Sequence, residues 1–350
     1  MIISLSILIL IHELGHFYAA RFLKVKVEEF GFGFPPRVIS RVRNGIRYSF
    51  NLFPFGGFVK IFGEHGEGEG APESFMSRPA WQRFFILVAG VAMNVVLGWV
   101  IFSASAAIGT PTLADEDSKQ GVVSVLAVSA GSPAAASGLR LGDQILELRA
   151  PAGVSLRIEK ESDVRDFIDA YVGEEITMII KRGDEVKEYK VVPRAYPPAS
   201  EGPLGIAMGR LAFERVAWYW VPVEGAMITI QTLFGIVGGL GMLLRDLIWK
   251  QTATVDVSGP IGIFMAGRDF QALGVAFILR FIGILSVNLA VLNALPIPAL
   301  DGGRIFFLLI EKLKGSRVNP RVENAAHAFG FALLILLMIM VTYRDVVKLF

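Results

Sequence analysis

His12-Glu13-Leu14-Gly15-His16 is the stretch whose residue types and spacing could do chemistry. On a helix, histidines at i and i+4 share one face and can bind a single zinc ion. Glu13 beside them can take a proton from a water held there. The motif lies about 11 residues, roughly 16 Å of helix, into an apolar segment that runs from Met1 to Phe22. Ionisable groups at that depth of a bilayer are costly and are retained for function. A zinc hydrolase also needs a third protein ligand and a position open to water. His65 sits in Gly63-Glu64-His65-Gly66-Glu67-Gly68, which reads as a solvated flexible loop, and His327 is a lone residue near the start of a span, which reads as interfacial. Asp301 is the better candidate. It follows 20 uncharged residues, and Pro296 and Pro298 break the helix just before it. Such a break frees backbone groups that only a protein cavity or a watery site can satisfy. A helix N-cap at Asp301 is the competing account.

The elements that must position these groups are membrane spans. The chain has 350 residues, 53% hydrophobic and 19% charged, with mean hydropathy +0.54. That is too apolar for an ordinary soluble enzyme and excludes a disordered or collagen-like chain. With no cysteine, disulfides and thiolate-bound metal are excluded. Met1–Phe22, Phe84–Ala114, Phe281–Leu300 and Asn324–Tyr343 are each long enough to cross about 30 Å of hydrocarbon. The first lacks the basic start and cleavage site of a signal peptide and reads as a retained span. A fifth stretch, Gly225–Leu244, is uncharged but rich in Gly and Thr.

Charge settles how these stretches are arranged. Lys24 to Arg83 holds nine basic residues, and Lys312, Lys314, Arg317 and Arg321 fill the short loop before the last span. Both loops are expected in the cytoplasm, so an even number of crossings separates them. Gly225–Leu244 is therefore expected to lie on or partly within the membrane without crossing it. Between Thr112 and Arg215 the net charge is −4 and elsewhere it is +6. A polar module is thus inserted into a basic membrane frame, and it faces away from the cytoplasm, as do both termini.

Arg37–Arg43 and Ile46–Phe53 flank Asn44-Gly45, a hairpin signal, with Pro54 and Gly56-Gly57 expected to end the second strand. The hairpin is either a small cap on its loop or an exposed edge that pairs with an extended substrate. In the module, Ala134–Gly138 suits a short helix, and Gln144–Leu148, Glu174–Lys181 and Glu185–Val192 suit strands. Pro203–Ile206 is expected to be an edge strand.

Taken together these motifs resemble the site-2 protease family of intramembrane zinc metalloproteases, in the bacterial regulator of sigma-E protease branch. The resemblance covers nearly the whole chain. It includes His12 through His16, Phe30-Gly31-Phe32-Gly33, Pro54 through Lys60, Ser258-Gly259-Pro260-Ile261-Gly262 and Asn293 through Gly303. It implies that His12, His16 and Asp301 ligate Zn2+, that Glu13 is the general base and that Asn293 handles substrate near the scissile bond. It also places the Asn44-Gly45 hairpin in the membrane as a reentrant β element. Ala89-Gly90 through Asn94 match a Gly-x-x-x-Asn pattern for which helix packing is an equally good account. Members of the family generally begin further upstream of the zinc motif, so the first span is short by comparison, and Arg304 stands where some carry His. The module resembles a single PDZ domain, which either captures peptide termini or merely excludes bulky ectodomains.

The expected architecture is a polytopic α-helical membrane protein with four transmembrane helices, a membrane-associated β-hairpin and an inserted α+β PDZ domain. Its parts are 1–111 (zinc motif, hairpin, second span), 112–215 (PDZ-like), 216–271 (membrane-associated helical segment) and 272–350 (Asp301 and the last span). The expected function is zinc-dependent cleavage of transmembrane segments in the bilayer of a bacterial inner membrane. The family implies regulated intramembrane proteolysis of anti-sigma factors or signal-peptide remnants. Nothing points to nucleic acid or to a cofactor beyond zinc. The alternatives are a non-catalytic PDZ adaptor, which would tolerate loss of Glu13 or Asp301, and a metal transporter, which would need more polar residues along its spans.

Overall fold

The computed structural model describes residues 2–64, 66, 68, 70–113, 121–129, 131–151, 153–183, 185–198, 201–249 and 259–347. His65 and Ser258 lie outside them. In chain order the elements are α1 (Ile2–Phe22), β1 (Val27–Arg43), β2 (Ile46–Ile61), α2 (Ala80–Ile108), β3 (Thr110–Leu113), β4 (Val122–Val128), α3 (Pro133–Ser137), β5 (Gln144–Arg149) and β6 (Ser155–Arg157). They continue as α4 (Glu161–Ala170), β7 (Ile176–Arg182), β8 (Glu185–Val191), β9 (Ile206–Glu214), α5 (Val221–Trp249), α6 (Pro260–Leu273), α7 (Val275–Ala294), α8 (Asp301–Lys314) and α9 (Pro320–Val347). They form two compact units.

The first unit comprises Met1–Ala104, Pro222–Gly267 and Leu279–Phe350. Among the described residues five helices, α1, α2, α5, α7 and α9, are long and apolar enough to cross a membrane. That is one more than the four spans expected, because α5 matches the others in length and apolarity. Neither property distinguishes a crossing helix from one that enters and leaves on the same side. Helices α2 and α7 run antiparallel: Gly283 faces the Phe102 ring and Gly98 faces Val287. The Ser286 hydroxyl donates to the Asn94 carbonyl at 2.8 Å. The outer faces of α9 and α5 carry exposed Leu, Ile, Phe and Met, as a lipid-facing surface does.

The turn between β1 and β2 has Asn44 and Gly45 both at positive φ, 52° and 76°. That is the geometry of a two-residue hairpin loop matched to strand twist, and it pairs Arg43 with Ile46. β2 does not end at Pro54 and Gly56-Gly57, as expected, but continues to Ile61. Gly56 takes φ 84°, and Gly57 passes so close to the Gly31 carbonyl that a side chain would press on it. The glycines bend the strand back along β1. Phe30 and Gly31 therefore lie opposite both Tyr48 and Ser49 of the outgoing part and Val59 and Phe58 of the returning part. The returning part is laced to α1. Ser6 Oγ donates to the Pro54 carbonyl at 2.5 Å and accepts from the Gly56 N–H at 3.4 Å.

The second unit, Ser105–Val221 with Arg268–Ile278, is centred on a seven-stranded sheet. It extends beyond the charge-defined limits 112–215 because packing follows the helix ends as well as the polar residues. The strand order is β3-β9-β4-β5-β7-β8, with β6 on β5. Val125, Ile145, Leu148, Val164, Met178 and Ile180 fill its core. Asp143 is fully buried, accepts two bonds from Arg182 at 2.6 and 2.7 Å, and accepts the Arg140 N–H at 2.8 Å. The Asp143 hydrogen bond raises the pKa of the Arg182 guanidinium further. Pro203-Leu204 is a turn rather than part of an edge strand, and Ile206 is the first residue of β9. Gly205 at φ 70° leads the chain into β9, which lies between β3 and β4. Helix α4 was not anticipated. Its signals were Glu161 and Asp163 in the first turn, with Val164, Phe167 and Ile168 as the buried face.

Candidate metal centre

The periodicity of α1 delivers what the motif promises. His12 and His16 are both buried, with ring centroids 4.8 Å apart, and their Nε2 atoms face each other at 3.1 Å. Asp301 Oδ2 meets them at 2.9 Å from His12 Nε2 and 3.2 Å from His16 Nε2. Asp301 is the first residue of α8, and the N-cap is Leu300. The carboxylate is thus directed to the imidazoles, not spent on its own helix. The turn before it is held tightly. A Cβ on Gly302 or Gly303 would collide with the carbonyls of Ala294, Leu295 or Ile297, so only a glycine pair lets α8 start against the proline break.

Helix α2 backs the centre. A side chain on Gly15 would strike Ala89 and Gly90, and one on Gly90 would strike both imidazoles. The His16 Nδ1 donates to the Ile86 carbonyl at 2.9 Å, which leaves the Nε2 lone pair for a metal. Asn94, fully buried, has its amide 3.4 Å from His12 Nδ1. The Asn293 amide nitrogen, from α7, lies 3.5 Å from His12 Nε2. Glu13 lines the cavity beside His16 and Asp301, and its Oε2 accepts the Val59 N–H of β2 at 3.0 Å.

A cavity of about 250 Å³ beside the centre is lined by Glu13, His16, Val59, Glu64, Asp301 and Arg304 among others. Glu64 and Arg304 form an ion pair on its wall. His327 is not interfacial packing alone: its Nδ1 accepts the Ala299 N–H at 2.8 Å. Ala299 has φ 85°, so this bond steadies a strained loop two residues before Asp301. Sequence reasoning missed Glu64, Arg304 and the place of His327. The nearest signal was that Arg304 lies one helical turn beyond Asp301.

The donor set fits zinc. His12, His16 and Asp301 offer two imidazole nitrogens and one carboxylate oxygen, all within 4.8 Å of one another. Asp301 Oδ2 is buried with no hydrogen-bond donor of its own. Three such ligands with a fourth position left over are the pattern of catalytic rather than structural zinc.

Two histidines and an aspartate that meet among apolar helices, with a glutamate lining the cavity beside them, define the site of a metal-dependent hydrolase. The sequence matches Peptidase family M50 over residues 1–337. It is 32% identical to a Fusobacterium nucleatum protein over 357 residues, covering 100% of this chain and 98% of the relative. A Clostridium acetobutylicum protein is 30% identical over 349 residues, at 99% and 96% coverage. One from a Nostoc species is 31% identical over 350 residues, at 99% and 94%. All three bear the name "Putative zinc metalloprotease". The chain belongs to peptidase family M50, the site-2 protease family, and is a zinc metalloprotease with the helices of a multi-pass membrane protein.

Proposed function

We propose that the protein is an intramembrane endopeptidase that cuts transmembrane segments of other membrane proteins, with His12, His16 and Asp301 as zinc ligands and Glu13 as general base. The observation that carries this reading is the meeting of His12, His16 and Asp301 among the apolar helices, with Glu13 lining the cavity beside them. Zinc, when bound there, supplies Lewis-acid polarisation of water and of the scissile carbonyl. Glu13 accepts the proton of the attacking water and returns it to the leaving amine. Asn293, whose amide nitrogen lies 3.5 Å from His12 Nε2, would donate to the substrate carbonyl. A membrane helix hides its carbonyls in hydrogen bonds, so the substrate must be extended locally. The returning part of β2, whose Val59 N–H touches Glu13, provides a strand to pair with.

The second unit reads as a PDZ domain on the extracytoplasmic side of a bacterial inner membrane. A groove of about 470 Å³ runs between α4 and Leu204–Met208, lined by Glu161, Arg165 and Ile168 among others. A peptide terminus fits that description, but Glu161 Oε1 already takes the Arg210 N–H at 3.0 Å. Exclusion of bulky ectodomains is the other role the unit could serve. Regulated proteolysis of anti-sigma factors or signal-peptide remnants is the physiological setting this implies.

Substitution Glu13→Gln tests the chemistry. Cleavage of a membrane-embedded reporter should fall by about 10²–10⁴-fold while zinc content holds. Unchanged cleavage would remove Glu13 from the role of base.

A further inference from the structure

Both zinc-facing imidazoles have a second nitrogen, and helix α2 reaches both. His16 Nδ1 is held by the Ile86 carbonyl at 2.9 Å. His12 Nδ1 has the Asn94 amide at 3.4 Å. Ile86 and Asn94 are about two helical turns apart, and both are completely buried. The Asn94 Oδ1 has no hydrogen-bond partner, with Nδ2 facing the imidazole instead. A buried amide in an apolar helix is costly unless it is bonded. Metal chemistry decides which end of it must face His12. If His12 gives its Nε2 lone pair to zinc, its proton is on Nδ1, and the atom opposite must be an acceptor. A half-turn of the amide brings Oδ1 to that place. The backbone at this point is itself fixed, because the Asn94 carbonyl accepts from Ser286, which is also fully buried.

We infer that Asn94 is a positioning residue: its Oδ1 accepts the Nδ1–H of His12 and holds that imidazole in the tautomer and orientation that present Nε2 to the metal. The Gly-x-x-x-Asn pattern is then one device. Gly90 lets α2 press on the two rings, and Asn94, one turn on, secures the ring that the Ile86 carbonyl does not reach. The inference rests on His12 being a zinc ligand.

The test reads zinc, not only cleavage. Asn94→Leu keeps the volume but removes the acceptor, and zinc affinity, measured by competition with a chelator, should fall by about 10–100-fold. Asn94→Asp restores an acceptor and should restore affinity, whereas a merely structural role would not distinguish the two. Ser286→Ala, which loosens the same helix contact without touching His12, should keep affinity. Equal zinc affinity in Asn94→Leu and wild type, or equal loss in Asn94→Leu and Asn94→Asp, would overturn the inference. Should the Leu variant fail to fold, the zinc-loaded wild type labelled with nitrogen-15 histidine gives the answer. With four histidines in the chain, the His12 signals can be assigned by substitution. A His12 Nδ1–H coupled through its hydrogen bond to the Asn94 side-chain carbonyl supports the role, and an Nδ1–H without that coupling refutes it. His12→Ala is measured alongside: if it keeps zinc, the ligand assignment fails, and that outcome is distinct from failure of Asn94 alone.

Discussion

A glycine can be as exacting as a ligand when two helices meet over a metal. Gly90 has both imidazoles where a Cβ would go, and Gly235 of α5 has nothing within 4 Å of the same position. Substitution Gly90→Ala should therefore displace α2 or the rings and strip zinc, whereas Gly235→Ala should leave zinc and cleavage unchanged. Metal analysis of both purified variants checks this, and retention of zinc by Gly90→Ala would show that the centre tolerates a shift it has no visible room for. The contrast also bears on what could be read in advance. The His-Glu-x-x-His spacing was legible because helical periodicity alone brings i and i+4 together, and Asp301 because two prolines announced a break in an uncharged run. Gly90 and Asn94 were ambiguous, since small residues in a span are explained as well by packing. The bond that His327 makes could not be read in advance because its partner is a backbone N–H at Ala299, and no side-chain pattern reveals a backbone donor.

Between residues and molecule, the elements show how an apolar frame holds polar chemistry. α1 carries three of the reacting groups and β2 touches it at Pro54, Gly56 and Val59. The centre is thus framed by a strand as well as by helices. The turn at Asn44-Gly45 could be foreseen, but the bend at Gly56-Gly57 could not. Proline and paired glycines usually end strands, and only the close approach to Gly31 shows them folding one back. Glu64, just past β2, and Arg304, in the first turn of α8, tie these elements together beside Glu13. Substitution Arg304→Gln leaves the Glu64 carboxylate unpaired next to Glu13 and Asp301 and should slow cleavage. Adding Glu64→Gln to the same chain should recover part of the loss, with a coupling of about 0.5–3 kcal/mol. Kinetics of the two single variants and the double variant measure it, and strictly additive effects would mean that the pair does not act on the site.

For the molecule as a whole the open matter is how often the chain crosses the membrane. α5 is long and apolar enough to cross, and exposed Trp218, Tyr219 and Trp220 at its start and Trp249 at its end resemble interfacial anchors. Crossing parity points the other way. The start of α5 is tied to the far end of α2, where Trp99 Nε1 donates to the Pro222 carbonyl at 2.8 Å. The chain beyond it is tied to the far end of α9, where Asp345 accepts the Gly262 N–H at 2.8 Å. If the basic loops before α2 and before α9 both face the cytoplasm, as their charge predicts, both of those ends face the opposite side. Leu233, Ile236 and Leu240 pack with Val287 and Val291, so α5 enters the apolar layer, and on that charge-based arrangement the chain would begin and finish this excursion on one side. Four crossings with α5 embedded satisfy both sets of contacts. The absence of cysteine makes this measurable without background. In Trp249→Cys, a membrane-impermeant thiol reagent added to intact cells should label the end of α5, as it should label a control thiol at Tyr196 in the second unit. Labelling at Trp249→Cys only after the cytoplasmic face is opened would make α5 a fifth crossing and place its end beside the basic loops.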